Sequence, residues 1–407
     1  MTSYFSRNGR KRMTLLAIVA ASAGTAHAET ATEMNVGLNA RASSNPFLDR
    51  SDSDVVLSAA LTVNPALVVE DEISTFRLEA DLNIEQYAER YGNELSGQLG
   101  ATARRELSEY TSVNVGISAL TSRSNFQNGF FANPGDLLDP VFDPVIPVGD
   151  LSNSGRRNRQ SSLSAQFGVD HRLSEIDSIA LDGYVGLNKN GGALQDDSRS
   201  MRAQLRYARR LSPQTSVAAN VSAGVNTNLG DRFGDSRYLT PKIEFTQRLS
   251  ETLRATVGAG VSFTRTNDVA GLTNSRRALA FNASLCDRRL HSGWCADFSR
   301  EAQPTTLGGV TIATSANVSY DMQISAVDQL SFSARYTDNR PTAETILFNP
   351  NGARKAVGAS GQYARRINDR LSAVINSSYT RFLDDLLERK PSFQFSAGIN
   401  YYFGKLR

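Results

Sequence analysis

Apolar and polar residues alternate with a period of two through most of the chain beyond its first thirty positions. In 253–264, Leu253, Ala255, Val257, Ala259, Val261 and Phe263 alternate with Arg254, Thr256, Gly258, Gly260, Ser262 and Thr264. Phe76, Leu78, Ala80, Leu82 and Ile84 alternate likewise with Arg77, Glu79, Asp81, Asn83 and Glu85. Successive side chains of a strand point to opposite faces, so each stretch makes one apolar and one polar face. At helical spacing the same residues form no stripe. The segments run to roughly ten to thirteen residues, longer than the five or six usual in soluble sheets. That length is near the nine to eleven needed to cross a bilayer at a tilt. Charged residues stand mid-row on the polar faces, where a sandwich core would need apolar groups and a hydrated lumen would not.

A short motif joins many of these segments: RRELSEYTSV (104–113), HRLSEIDSIA (171–180), RRLSPQTSVA (209–218), QRLSETLRAT (247–256) and ARRINDRLSAV (364–374). Each closes one strand on Leu or Ile and turns on Ser, Asp, Asn or Pro. Longer polar connections lie between them, at 123–158, 189–199, 229–237, 266–275 and 338–352. Alternating short and long connections predict an all-β, antiparallel transmembrane barrel with short periplasmic turns and longer extracellular loops. The first nine strands are predicted near 33–42, 54–64, 74–86, 94–105, 110–122, 159–171, 177–188, 199–210 and 214–227. The rest fall near 237–248, 252–265, 276–287, 293–302, 307–323, 327–338, 353–365, 369–381 and 391–404. That makes about eighteen, or sixteen if the first hairpin does not close the wall.

The beginning of the chain sets the compartment. Arg7, Arg10, Lys11 and Arg12 precede a short apolar run, Leu15 to Ala23, and Ala26-His27-Ala28 fits a signal-peptide cleavage site. Residues 1–28 are therefore expected to be a signal peptide and 29–407 the barrel. Removing those four positive charges takes the formal net charge from +3 to −1, and an argument for nucleic-acid binding goes with them. The expected partners are outer-membrane lipid and the barrel assembly machinery.

Candidate chemistry is sparse. His171 and His291 are predicted at periplasmic turns without an acid–base partner, so no catalytic set is expected and the chain is read as a non-enzyme. No cofactor or metal is expected, since two thiols alone leave a zinc site half empty. Strand parity points Cys286 and Cys295 into the lumen, directly opposite one another across a hairpin. At that spacing, in an oxidising compartment, a disulfide is expected. The predicted lumen row holds Arg41, Arg77, Arg104, Arg202, Arg206, Arg254 and Arg335 against Glu79, Asp81, Glu85, Asp170, Asp182, Glu244 and Asp297. The signs balance, which disfavours a strongly ion-selective ring. The connection 123–158 carries Asp136, Asp139 and Asp143 among Pro, Phe and Leu residues, and is a candidate to fold into the mouth as a constriction, a surface-exposed loop being the alternative.

The opening hairpin, SSNPFLDRSDSD (43–54) followed by VVLSAALTVNPAL, resembles the start of the β-barrel porin type 2 family. The RRLSP-type turns and the aromatic final strand (Phe393, Phe395, Tyr401, Phe403) fit it as well. That resemblance covers nearly all of 29–407, and it implies a bacterial outer-membrane protein linked to exopolysaccharide export. The functional expectation is a porin-like channel for passive or export passage of polar solutes, with polysaccharide or periplasmic export components as partners. The alternative is a non-conducting docking barrel of a polysaccharide assembly machine.

Overall fold

The computed structural model describes residues 29–48, 54–122, 158–191, 196–230, 234–267, 273–305, 309–341, 355–383 and 389–404. The predicted signal segment and most of the connection 123–158 lie outside these residues. The first strands are β1 (Glu29–Ser43), β2 (Val56–Glu70), β3 (Ser74–Tyr87), β4 (Asn93–Ser108), β5 (Thr111–Ser122) and β6 (Gln160–Arg172). They are followed by β7 (Asp177–Asn190), β8 (Ser198–Ser212), β9 (Thr215–Asn228), β10 (Ser236–Arg248), β11 (Leu253–Asn267) and β12 (Thr273–Arg288). The last are β13 (Ser292–Pro304), β14 (Val310–Gln323), β15 (Asp328–Pro341), β16 (Lys355–Arg366), β17 (Leu371–Phe382) and β18 (Ser392–Gly404).

Every strand pairs antiparallel with its sequence neighbours, and β1 pairs with both β2 and β18, closing an 18-stranded barrel. Closure removes the free edges that no sheet can leave in hydrocarbon. The sixteen-strand alternative is excluded because the first hairpin is part of the wall. One predicted boundary is corrected at β2, which continues through Pro65 to Glu70. Proline has no N–H to give, and the β2–β3 register accordingly omits Asn64 and Pro65, while Pro65 still sits opposite Met34 on β1.

The two faces of the wall differ as the alternation requires. Leu38, Leu61, Leu82, Leu99, Leu163, Leu205, Ile243, Val257, Phe332 and Ile399 are exposed on the outside. The polar rows lie on the concave inside, where alternate strands approach one another. There Arg41 of β1 donates to Glu85 of β3 at 3.0 Å, and Ser58 of the intervening β2 donates to the same carboxylate at 2.6 Å. An apolar exterior band around a polar interior places the protein in the bacterial outer membrane.

At three of the five motif copies, and at two other hairpins, one side-chain oxygen accepts two turn amides. At 104–113 and 209–218, Ser108 and Ser212 instead accept the N–H of Tyr110 and of Gln214 beside a register shift. The Ser174 hydroxyl accepts the N–H groups of Ile176 and Asp177, Ser250 those of Thr252 and Leu253, and Ser325 those of Val327 and Asp328. Asn368 Oδ1 and Asp71 Oδ1 do the same for Arg370 and Leu371, and for Ile73 and Ser74. A short side-chain acceptor satisfies turn amides that would otherwise need water. His171, expected in a turn, instead lies within β6, its Nδ1 2.8 Å from Thr111 Oγ1.

Candidate pore and its inner constriction

The charged residues predicted for the lumen stand on the inner face, in separate groups. On β3, Arg77 Nε donates to Glu79 at 2.6 Å, with Asp81 next in the same inward row. On β8, the Arg202 guanidinium lies 5.8 Å from the Tyr184 ring centroid, and Arg206 follows it inward. Arg254 stands near the short-turn end of β11 opposite Arg248, and Arg335 lies on β15 opposite Asn317. These groups are spread around the wall and do not converge on one site. What the inner face has in quantity is small polar groups: Ser216, Asn220, Ser222 and Asn226 on β9, and Thr256, Ser262 and Thr264 on β11.

A feature that strand periodicity does not show lies against the inner wall near the long-loop end. β12 and β13 are paired only from Arg288↔Gly293 to Phe281↔Arg300. Beyond that point β13 stays with β14 as far as Pro304↔Val310, while β12 stays with β11 as far as Thr273↔Asn267. The wall therefore forks, and the β13–β14 tip turns inward across the faces of β11, β10 and β9.

The tip is held by named contacts on each strand it passes. Ser262 of β11 accepts the Ala302 N–H at 3.3 Å. On β10, Lys242 lies 3.5 Å from Glu301 of the tip and 3.4 Å from Glu244 of its own strand. On β9, Asn226 is fully buried, and its amide donates to the carbonyls of Thr305 at 3.1 Å and Gly309 at 2.7 Å. An apolar cluster closes over these polar anchors: Tyr238 of β10 with Ala302, Val310 and Ile312, packed against by Ala278. Ile312 is 1 % exposed, as buried as a residue in a soluble core.

On the opposite side of the mouth a second segment tucks in. After β1, Ser44 donates its N–H to the Phe393 carbonyl at 2.9 Å, and its hydroxyl accepts the Phe393 N–H at 2.9 Å. Asn45, fully buried, donates to the Lys390 carbonyl at 3.2 Å. Phe47 then packs on Tyr87, an inward residue of β3, and on Tyr91, with ring centroids 5.7 and 4.8 Å away. Leu48 takes a left-handed backbone, φ 54°, to make the bend.

Asp136, Asp139 and Asp143, candidates to constrict the mouth, lie outside the described residues. Cys286 and Cys295 are register partners with Cα atoms 4.1 Å apart, and their sulfurs are bonded. The bridge lies near the short-turn end of the same β12–β13 seam that forks above. Among the described residues no cluster of three or more His, Cys, Asp or Glu side chains is placed to hold a metal ion.

No family model and no curated protein matches the chain. Among solved structures, it is similar to Pseudomonas aeruginosa OccK2 (OpdF), with a TM-score of 0.47 at 10% identity, covering 93% of this chain and 99% of that one. A BenF-like porin from Pseudomonas fluorescens Pf-5 gives 0.46 at 12% identity, over 93% and 99%. The FrpB iron transporter from Neisseria meningitidis gives 0.46 at 9% identity, over 91% and 82%. Likeness at this level is confined to general barrel shape and does not extend to what those proteins carry.

Proposed function

We propose that the protein is an outer-membrane channel for small polar solutes, narrowed at its extracellular mouth by the β13–β14 tip. The observation that carries this reading is a wide closed wall whose inner face is built of small polar residues. Barrels of sixteen to eighteen strands enclose more space than such side chains fill, which leaves water inside. A tip docked at one side narrows that space at a defined level. Passage is then sieving by width and polarity, with no bond made or broken.

The near-balanced charges support weak ion selectivity, because Arg41 offsets Glu85 and Arg77 offsets Glu79 locally, while Lys242, shared between Glu244 and Glu301, leaves a single negative charge there. Hydroxyl and amide groups along β9 and β11 suit sugar hydroxyls. Export of an exopolysaccharide is the finer form of this proposal, carried by the sequence resemblance. Cleavage of 1–28, insertion by the barrel assembly machinery and a structural role for the Cys286–Cys295 bridge belong to it as well. The β5–β6 connection, with Asp136, Asp139 and Asp143, is a second candidate for narrowing the mouth, and deleting 130–148 isolates its contribution.

Planar-bilayer recording tests the reading. Discrete conductance steps, with block by added oligosaccharide, support a sugar-passing channel. A folded barrel that carries no current favours the docking barrel instead.

A further inference from the structure

The β12–β13 seam is the shortest of those described, and it parts inside the apolar band of the exterior. The register runs from Arg300 to Phe281 and on to Ala259, the middle of the outward row from Ala255 to Phe263 on β11. Above that level β13 no longer covers the edge of β12, whose outward Leu279 is 73% exposed. A cavity of about 460 Å³ opens at the fork, lined outside by Leu279, Phe281, Phe298, Ala259 and Arg300. Gly260 and Ala280 form its inner end. Sheet edges are not left bare in hydrocarbon, so something with an apolar body is expected to fill such a notch.

Arg300 says what kind. It shares the outward face with Phe281 and Phe298, whose rings lie 5.7 Å apart. Its Nη1 donates to Thr314 Oγ1 at 3.0 Å, and no carboxylate among the described residues forms an ion pair with it. A guanidinium carries five N–H donors in a fork matched to phosphate oxygens. Facing lipid, such a charge is costly unless an anion meets it. Further cations continue this surface toward the outer rim. Arg277 follows Leu279 along β12, its guanidinium 5.8 Å from the Phe263 ring centroid, and exposed Arg265 and Arg237 are register partners on β11 and β10.

We propose that this fork binds one phosphorylated glycolipid of the outer leaflet, with an acyl chain in the notch and a phosphate on Arg300. The inward turn of the β13–β14 tip creates the site by uncovering β12. The proposal stands whether or not the lumen conducts.

Native mass spectrometry of the full barrel, released from phosphatidylcholine nanodiscs doped with bisphosphorylated lipid A, tests it. One lipid A retained per wild-type barrel is expected. Arg300→Gln should weaken retention about tenfold, the loss of one charge-assisted contact. Leu279→Trp should displace the lipid by filling the notch while leaving the charge in place. Heat-modifiable migration reports whether each variant is folded, and Leu279→Trp decides the matter if Arg300→Gln is not. Equal retention by wild type and both variants, equal retention of phosphatidylcholine, or no retained lipid A would each overturn the proposal.

Discussion

β12 has two neighbours and meets them differently. Against β11 it pairs along its whole length, from Asp287↔Leu253 to Thr273↔Asn267; against β13 it stops at Phe281↔Arg300. The inner faces explain the difference. Gly258, Gly260 and Ser262 on β11, with Ala278 and Ala280 on β12, project almost nothing into the lumen and leave a trough. A Cβ at Gly260 would strike the Pro241 carbonyl, so that position admits no larger residue without a shift of β10. The β13–β14 tip lies in the trough and exchanges ladder bonds to β12 for those to Ser262 and Asn226. It also gains burial of Tyr238, Val310 and Ile312. Continuous pairing is therefore not the only way to satisfy a barrel strand; a trough of small residues offers a second.

Removing the apolar lock should have the largest effect on this contrast. Tyr238→Ala deletes the largest side chain of the cluster and should loosen the docked tip by about 3 kcal/mol. Hydrogen exchange would show this as lost protection confined to 301–313, with the β11–β12 seam unchanged. Opening the bridge at the other end of the seam comes next. Replacing Cys286 and Cys295 by Ala should cost about 2–3 kcal/mol through the entropy of a short loop, read as a lower temperature for heat-modifiable unfolding. Ready alkylation of both thiols without reductant would contradict the bond itself. Asn226→Ala removes both amide contacts to Thr305 and Gly309 and should release the tip by about 1–2 kcal/mol.

The smallest effect concerns the short-turn end, where five of the hairpins are closed by one side-chain oxygen that accepts two turn amides. The Ile73 N–H, followed by the Ser74 hydroxyl, holds the exposed Asp71 carboxyl below the usual carboxylate range. A depressed value in the folded state means that the stabilisation is present above the unfolded carboxylate value. It is lost as pH falls through the folded one. Amide protection at Ile73 and Ser74 should therefore fall on acidification in the wild type relative to Asp71→Asn, while the fork stays closed.

The wall was legible because a period of two encodes the face of a strand residue, and a turn acceptor such as Ser174 or Ser250 marks where many of the short hairpins close. The inward charges of β3, β8, β11 and β15 followed from parity alone. The fork did not, since a change of partner from β12 to the inner faces of β11, β10 and β9 is a long-range event that strand periodicity does not encode. Two signals were nevertheless present in the sequence. The outward row Trp294, Ala296, Phe298 is broken by Arg300 where another apolar residue was due, and the opposing rows of β11 and β12 are unusually small. Lys242 and Glu301 were missed for the same reason: their contact exists only once the tip has turned inward.

Single-channel conductance is the most direct measurement. Wild-type barrel should be recorded beside a variant in which Gln303–Thr311 is replaced by a short Gly-Ser linker, both in planar bilayers and both verified as folded. A constriction formed by the tip predicts discrete wild-type steps and a severalfold larger conductance in the variant. Equal conductance in the two, or no current through either, would contradict a channel narrowed by the β13–β14 tip.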